Sequence, residues 1–482
     1  MMKTSNSTQV HKKLDKLKAR FQKSQDLTFD PHKTENVSFE IAYFESLINL
    51  QYLDQYILPK LDYHTERSVK DTLLLLFQAD EVSDKSIDDL SNLLFEGSIF
   101  FLLDSAILSI RGADFPKRQP EESALETSIR GPKDGFVEDL KTNISLIRRR
   151  LNTSSLCLEK YTIGRRSKTK VALMYVDDVI NPEVVNEIRK RLENIDLDVL
   201  TSIYDLEMYF RDRKYSIFPT VDYTGRPDFI VQGLNQGRFA ILVDGNPTVS
   251  FAPINLLLQT KSPEDSYNNF ASVSVERLIR LFGLTVAGFL PGVWIAFSAF
   301  NIEQIPYLLV ATITISRFGL PLSAPIEMFV ILFLFELFNE AGVRLPRAIG
   351  QTVAVLGGLI VGDAAIRAGL TSPTMLVVAA ITYISSFTLV NQSLSSAFTI
   401  IRFTVLLMST LFGLFGVIIS YLLTVLYLSS ISSFGSPYTG SVAPVSYTEA
   451  VKSILKAPRQ YYRSRSTLTA PKDPTRGGGD QS

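Results

Sequence analysis

Leu281-Phe-Gly-Leu-Thr-Val-Ala-Gly-Phe-Leu-Pro-Gly-Val-Trp-Ile-Ala-Phe-Ser-Ala-Phe300 is a run of twenty residues without a charge. As a helix it matches the ~30 Å hydrocarbon core of a bilayer. Arg277 and Arg280 precede it, while Asn301 to Pro306 beyond it carry no Lys or Arg. The positive-inside rule therefore places the N-terminal side in the cytosol. Pro291 predicts a kink within the span.

Charge thins out around this run. From Leu281 to Leu428 the charged residues are Glu303, Arg317, Glu327, Glu336, Glu340, Arg344, Arg347, Asp363, Arg367 and Arg402, ten in 148 positions and none a lysine. Pro306 to Ser316 is apolar but too short to span. Ile326 to Phe338 continues as an apolar helix, and Asn339 to Arg347 as a polar turn whose arginines suit the cytosolic face. Ala348 to Ile366 is glycine-rich, Thr374 to Val390 reads as a plain span, and Phe403 to Leu428 as the last one. Five full spans would leave the tail outside, yet that tail is basic, so an even number of crossings is preferred. Either Pro306 to Pro325 adds to the count, or a glycine- or proline-interrupted segment is broken or re-entrant, and non-helical backbone at that depth survives only where it faces protein or a watery cavity. The fold class expected is a mixed α+β or α/β cytosolic region of two similar lobes plus an all-α polytopic membrane domain. That domain covers residues 276–430, with four to six membrane segments, and residues 431–482 form a basic cytosolic tail.

The chain has 482 residues, 46% hydrophobic and 20% charged, below the charged share usual for a soluble protein. Met1 to Gln25 is polar and lysine-rich with no apolar core, so no signal peptide is expected, and residues 1–37 read as a mobile polar arm. Residues 38–127 and 153–275 read as two α/β lobes. In the first, Gly97-Ser-Ile-Phe-Phe-Leu-Leu-Asp104 predicts a strand and turn, Ala106 to Ile110 the return strand, and Ser86 a helix cap. In the second, Gly237-Arg-Phe-Ala-Ile-Leu-Val-Asp244-Gly245 repeats that arrangement, with Asp-Gly as a hairpin signal. Val171 to Val176 predicts another strand, and Asn181-Pro182 an N-cap and N1 pair.

Between the lobes, residues 128–152 predict a linker helix. Phe136, Leu140, Ile144, Ile147 and Leu151 form its apolar stripe, Asp134 can cap it, and Arg148, Arg149 and Arg150 sit at the negative end of its dipole. Together with Arg130 these arginines are interface candidates, either solvated on a packed helix or docked against a partner or lipid headgroups.

Enzyme chemistry finds no foothold. The three histidines end at His64, and no nucleophile elbow, phosphate-cradling loop or zinc-binding HExxH occurs. One cysteine, Cys157, excludes an intramolecular disulfide and a Cys-based zinc site. Asp177-Asp178 follows a strand and reads as a turn initiator in preference to a cation site. No cofactor and no metal are expected, and a formal net charge of zero gives no nucleic-acid footprint.

The ionisable residues inside apolar helices are the informative ones, because an exposed charge there costs several kcal/mol. Glu327, Glu336, Glu340, Asp363 and Arg367 belong to this group, with Glu340 and Arg344 one turn apart and able to pair. Gln351, Val355, Gly358 and Gly362 share one helical face, with Gly357 beside it. That face can line a narrow pore gated by Leu359 and Val361, or let helices approach closely with no conduction at all.

Several stretches together resemble one family. They are Arg130-Gly-Pro, the helix ending at Arg148-Arg-Arg, Arg226-Pro-Asp228, Leu242-Val-Asp-Gly245 and Ser262-Pro-Glu-Asp265. Glu340-Ala-Gly-Val-Arg-Leu-Pro346, Ile349-Gly-Gln-Thr352, Gly357-Gly358 and Phe434-Gly-Ser-Pro-Tyr438 follow in order. The chain is similar to the A subunits of GerA-type spore germination receptors over about residues 125–440. The resemblance implies a spore inner-membrane protein working with a transporter-like B subunit and a lipoprotein C subunit, oligomerising to conduct monovalent cations across the bilayer. Path-lining positions carried over are Gln351, Gly357, Gly358, Gly362 and Asp363. Asp363 departs from the neutral residue usual there, and Leu389-Val390 stands where relatives often carry a proline. The competing reading is a non-conducting scaffold or accessory membrane protein of the germination apparatus.

Overall fold

The computed structural model describes residues 2–33, 37–61, 66–113, 126, 128–344, 362–440, 447–458, 460 and 464–476. Its N-terminal part is one supersecondary unit used twice. The first unit runs α1 (Met2–Arg20), β1 (Leu27–Lys33), β2 (Ser38–Phe44), an irregular helical stretch over residues 50–60, α2 (Glu66–Leu76), β3 (Asp80–Glu81), α3 (Ile87–Phe95), β4 (Ser98–Leu102) and β5 (Ile107–Arg111). The second runs α4 (Leu140–Arg148), β6 (Leu156–Ile163), β7 (Thr169–Val176), α5 (Pro182–Glu193), α6 (Ile203–Phe210), β8 (Asp222–Thr224), α7 (Pro227–Leu234), β9 (Phe239–Val243) and β10 (Val249–Ala252). The sheets have the orders β1-β2-β4-β5-β3 and β6-β7-β9-β10-β8, with every pairing antiparallel. Gly97 and Gly237 hold matching φ of +81° and +80° where a helix ends and the central hairpin begins, a conformation that favours glycine.

Central strands β4 and β9 are buried along their whole length, because each sheet is covered on both faces. In the first unit, Ile99, Phe101 and Leu108 meet the 50–61 stretch and α2. Phe100, Leu102 and Phe44 meet Val10, Leu17 and Phe21 from the N-terminal segment, with Leu90 and Leu94 of α3. Residues 2–33 are thus the first helix and edge strand of a lobe, which corrects the reading of residues 1–37 as a mobile arm. Val10, Leu14, Leu17 and Phe21 recur three or four residues apart, a real stripe hidden among lysines. α1 occupies in the first unit the place that the linker helix α4 occupies in the second. That helix begins at Leu140, capped by Asp139; Asp134 does not cap it but pairs with Arg150 at 2.5 Å.

The C-terminal part is helical: α8 (Phe270–Ile295) ending in a π-helical turn Ala296–Phe300, α9 (Tyr307–Arg317), α10 (Ala324–Arg344), α11 (Gly362–Arg367), α12 (Pro373–Ser386), α13 (Gln392–Ser429) and, after it, α14 (Tyr447–Ile454). Two stretches, Phe270–Phe300 and Gln392–Ser429, are long and apolar enough to cross a membrane. α8 continues past Pro291, and its irregularity falls in the π turn that follows.

α13 is not a single rod. Gly413 takes φ 58° and ψ −137°, and a Cβ on Gly416 would collide with the Met408 carbonyl. Residues eight apart in an unbroken helix lie about 12 Å apart, so the chain doubles back at Gly413. The rising arm, residues 392–412, follows α8 in the same direction: Gly288 meets Phe398, Gly292 meets Val405, and Phe300 meets Gly413 at the tip. The returning arm brings Tyr427 to Phe218 (6.0 Å between ring centroids), which also meets Phe398 at the start of the rising arm (5.7 Å). The stretch read as one span from Phe403 to Leu428 is therefore a turn between two arms; a glycine inside an apolar run gave no polar break to mark it. Thr374 to Val390 likewise divides. α12 ends at Ser386, where the Ser386 and Thr388 hydroxyls bond carbonyls three residues back at 2.6 and 2.8 Å, and Asn391 caps the next helix.

Candidate functional site at the junction of the second lobe and the helices

Four of the sequence motifs converge at one place. Arg226, at the start of α7, is fully buried and donates Nε and Nη2 to Asp228 at 3.0 and 2.8 Å and Nη1 to Glu264 at 2.7 Å. Asp228 also accepts from the Tyr267 hydroxyl at 2.9 Å. Glu264 accepts from Ser128 at 3.1 Å and from the Arg130 amide at 3.2 Å. A Cβ on Gly131 would collide with the Arg226 guanidinium, so the Arg-Gly-Pro turn seats against the network only because residue 131 is glycine. Burial pushes Glu264 up, but Arg226, the Arg130 amide and Ser128 together hold its carboxyl below the usual range. The hairpin motif joins from the other side: Gly245 N–H donates to Glu138 at 2.8 Å and Leu140 N–H to Asp244 at 3.2 Å, fixing the linker helix.

Asp265, the next residue after Glu264, faces the opposite way. It accepts from Arg277 Nε at 2.9 Å and from Arg280 Nη1 at 2.9 and 3.1 Å, both on the first turns of α8. The consecutive carboxylates thus close the lobe's network with one side chain and clamp the base of the first long apolar helix with the other.

The helices return to this same face. Asn391, at the foot of α13, donates to Asp222 of β8 at 2.5 Å. Beyond α13, Phe434 lies edge-on to Phe239 at 4.9 Å with Arg191 over its ring at 4.5 Å, and the Tyr438 hydroxyl donates to Gln259 at 2.7 Å. Burial, reinforced by Glu126 and Glu207, pushes the Asp222 carboxyl up to about 7 against the opposing Tyr223 amide. Asp222, Glu126 and Lys261 share a small cavity of about 70 Å³. Burial also raises Glu126 and Glu207.

Within the helices, Glu327 is buried and accepts from the Ser372 amide at 2.5 Å, the Ser372 hydroxyl at 2.7 Å and Thr371 at 3.0 Å, with Arg317 at 3.7 Å. It therefore terminates the N-terminus of α12 with a negative charge, where the helix dipole favours one. Arg402 is buried on the rising arm and donates Nε to the Ala287 carbonyl at 2.8 Å. Glu336, half-buried on α10, is within coulombic reach of Arg402 and Tyr383. Glu340 is exposed. Asp363 and Arg367 form an i,i+4 ion pair at 2.8 Å with side chains 58% and 79% exposed, and Gly362 opens the same short helix against Leu376. Gln351, Val355, Gly357, Gly358, Leu359 and Val361 lie outside the described residues.

The interface arginines separate. Arg130 and Arg149 are exposed, and Arg150 holds Asp134. Arg148 is corrected: its side chain is 0% exposed and pairs with Asp26 at 2.8 Å, under the ring of Phe44. It joins α4 to the first lobe and presents nothing to a partner. The Glu264–Asp265 pair, Asp222 and Arg402 were missed as functional positions; Ser-Pro-Glu-Asp read locally is only a turn, and nothing in it says that its carboxylates meet arginines on two distant elements. Cys157 is buried and its thiol is pushed up to about 11, chiefly by burial, which keeps it a packing residue. Among the described residues no group of three or more His, Cys, Asp or Glu side chains is placed to hold a metal ion.

Comparison with known proteins follows these motifs. The model of the family described as Bacillus/Clostridium GerA spore germination protein matches residues 15–468. Spore germination protein XA of Bacillus anthracis is 39% identical over 433 residues, 88% of each chain. The uncharacterized membrane protein YfkQ of Bacillus subtilis (strain 168) is 32% identical over 430 residues, 87% of this chain and 83% of the other. The crystal structure of the N-terminal domain of the A subunit of the Bacillus megaterium spore germinant receptor GerK3 is 29% identical, with a TM-score of 0.36, covering 50% of this chain and 92% of that one. With the family pattern running through both lobes, the helices and the returning tail, the chain belongs to the GerA family of spore germination proteins.

Proposed function

We propose that this chain is the A subunit of a nutrient germinant receptor in the spore inner membrane, a multi-pass protein whose lobes lie in the cytosol. It oligomerises, works with a transporter-like B subunit and a lipoprotein C subunit, and forms a gated path for monovalent cations that triggers germination. The observation that carries this reading is the adjacency of Glu264 and Asp265, which ties the buried network of the second lobe to the base of α8. A rearrangement of the lobes pulls directly on the helices through two consecutive residues. The start of α8 and both ends of α13 sit on the same face of the second lobe, which supports an even number of crossings. Gln351, Val355, Gly357, Gly358, Gly362 and Asp363 line the path in this reading, Leu359 and Val361 gate it, and the exposed Arg130 is the interface candidate toward a partner.

Spores carrying Asp363→Ala or Gly358→Leu test the placement of the path. Slower or absent release of monovalent cations after nutrient addition, with normal amounts of the protein in the membrane, is the expected outcome. Normal release from both variants sinks it. A non-conducting scaffold predicts that the purified protein never conducts in liposomes, whatever its state.

A further inference from the structure

A cleft of about 970 Å³ opens beside the junction, between the end of α7, the turn leading into α8, and the tail. Its lining includes Arg238, Lys261, Arg277, Lys452 and Lys456, and Asp265 is the sole carboxylate among the lining residues. That carboxylate is already engaged by Arg277 and Arg280. Arg238 is buried and donates Nε to the Pro253 carbonyl at 3.0 Å and Nη1 to Gln236 at 2.6 Å, which leaves Nη2 without a protein partner among the described residues. Lys261 Nζ has none either. Lys456 is held in the wall by the Asp265 and Asn268 carbonyls at 2.5 and 2.8 Å.

Such an assembly opposes its own formation. Burial pushes Lys261 down to about 7, with Arg277 and Arg238 adding repulsion that Asp265 only partly opposes, and burial brings Arg238 down to about 10 against the opposing charge of Asp222. In a chain of zero formal net charge, nothing in overall composition requires cations to converge on a partly enclosed cavity. A bound anion offsets that repulsion, and a buried guanidinium with a free N–H edge is suited to an oxyanion. The cleft also lies at the foot of α8, where Phe270, Leu278, Ile279 and Phe282 are exposed, so a lipid headgroup and a soluble phosphate compound can both reach it.

We propose that this cleft binds a phosphate-bearing anion through Arg238 and Lys261, with Arg277 and Lys452 completing the positive wall. The full-length protein is purified in detergent and its unfolding midpoint is followed against inorganic phosphate, with chloride at matched ionic strength as control. In parallel it is placed in nanodiscs of phosphatidylcholine with and without phosphatidylglycerol, and retained lipid is counted by native mass spectrometry. Both arms are repeated with Arg238→Gln and Lys261→Met. Stabilisation by phosphate that weakens about 10- to 100-fold in the variants supports a soluble ligand. Selective retention of phosphatidylglycerol, lost in the variants, supports a headgroup. No response in either arm, or equal responses from variants whose midpoints without ligand match the parent, overturns the proposal.

Discussion

The same helix occurs twice in this molecule and is started in two different ways. α3 of the first lobe and α7 of the second each follow the edge strand and precede the central hairpin, and each is followed by a glycine of positive φ. α3 is capped locally: Ser86 accepts from the Asp89 amide and Asp89 accepts from the Ser86 amide, a closed capping box. α7 has Arg226 at its cap position and no side-chain cap at all. Its first turn is instead tied to Asp228, Glu264, Tyr267 and the Arg130 turn. A local device in one lobe has become a long-range one in the other, and the long-range version lies where the chain passes into the helices. The two lobes share one topology, and the long-range network is built into the second of them.

The sharpest way to break the comparison is Arg226→Ala. Asp228 would remain buried, and Glu264 part-buried, around a missing cation, and a broken buried pair costs roughly 3–5 kcal/mol. The unfolding midpoint of the purified chain should fall accordingly, and Arg226→Lys should restore little because a single ammonium cannot bridge Asp228 and Glu264 in the same geometry. A loss of about 1 kcal/mol would mean that α7 is held by ordinary capping, and the contrast with α3 would vanish.

Next comes the joint between the lobes. Asp26 is buried against Arg148, with Ser24 donating to Asp26 at 2.8 Å and accepting from Arg148 at 3.0 Å. Asp26→Ala strands a fully buried guanidinium and should cost about 3 kcal/mol. Because the partners come from different lobes, limited proteolysis between residues 20 and 30 should accelerate more than cleavage within the second lobe. Equal acceleration everywhere would show that the lobes unfold as one unit.

Asp222 sharpens the comparison through pH. Its folded pKa, near 7, lies above the ~3.9 of an unperturbed aspartate. Between about pH 4 and pH 7 the folded chain holds a proton that the unfolded chain has lost, so this group lowers stability as pH rises through that window. Asp222→Asn imitates the protonated form and its Oδ1 keeps the Tyr223 and Asn391 hydrogen bonds. The variant should be more stable than the parent by about 4 kcal/mol at pH 8 and nearly indistinguishable from it near pH 4, by denaturant titration at both values. A constant offset across that range would assign the effect to packing.

Local patterns were legible and remote pairings were not. Ser86, Asn181-Pro182 and the two glycine-led hairpins announce themselves within a few residues, because capping and turn chemistry act over that range. The mostly apolar run of Phe39 to Phe44, buried at five of its six positions, and the charge-free run from Leu281 to Phe300 are equally plain. α1 was hidden because its stripe is sparse and its lysines dominate composition. The turn at Gly413 was hidden because only the backbone angle, not the residue type, distinguishes it from other glycines in apolar helices. Arg148 shows the limit of reading charge as surface: three consecutive arginines look alike in sequence, yet only the first points at the buried Asp26. Partners 122 or 38 residues away, as for Arg148 and Arg226, are set by how the sheets pack, which no local spacing encodes.

The smallest effect tests the other half of the comparison. Ser86→Ala removes the acceptor for the Asp89 amide, 3.2 Å away, and frees Asp89, whose carboxyl is held low chiefly by that hydroxyl. Loss of an N-cap costs about 1 kcal/mol. The damage should stay within the first lobe, because α3 is buried against α1 and the first sheet through Leu90, Leu94 and Phe95 and, among the described residues, has no bond to the C-terminal helices. Hydrogen exchange should accelerate in α3 and α1 while α7 and the foot of α8 remain protected. Glycine at position 86 should lose only a few tenths of a kcal/mol relative to serine, which separates a capping effect from a packing one. If exchange at residues 264–280 rose as well, the first lobe would be part of the coupling path, and the asymmetry between α3 and α7 would be one of strength, not of kind.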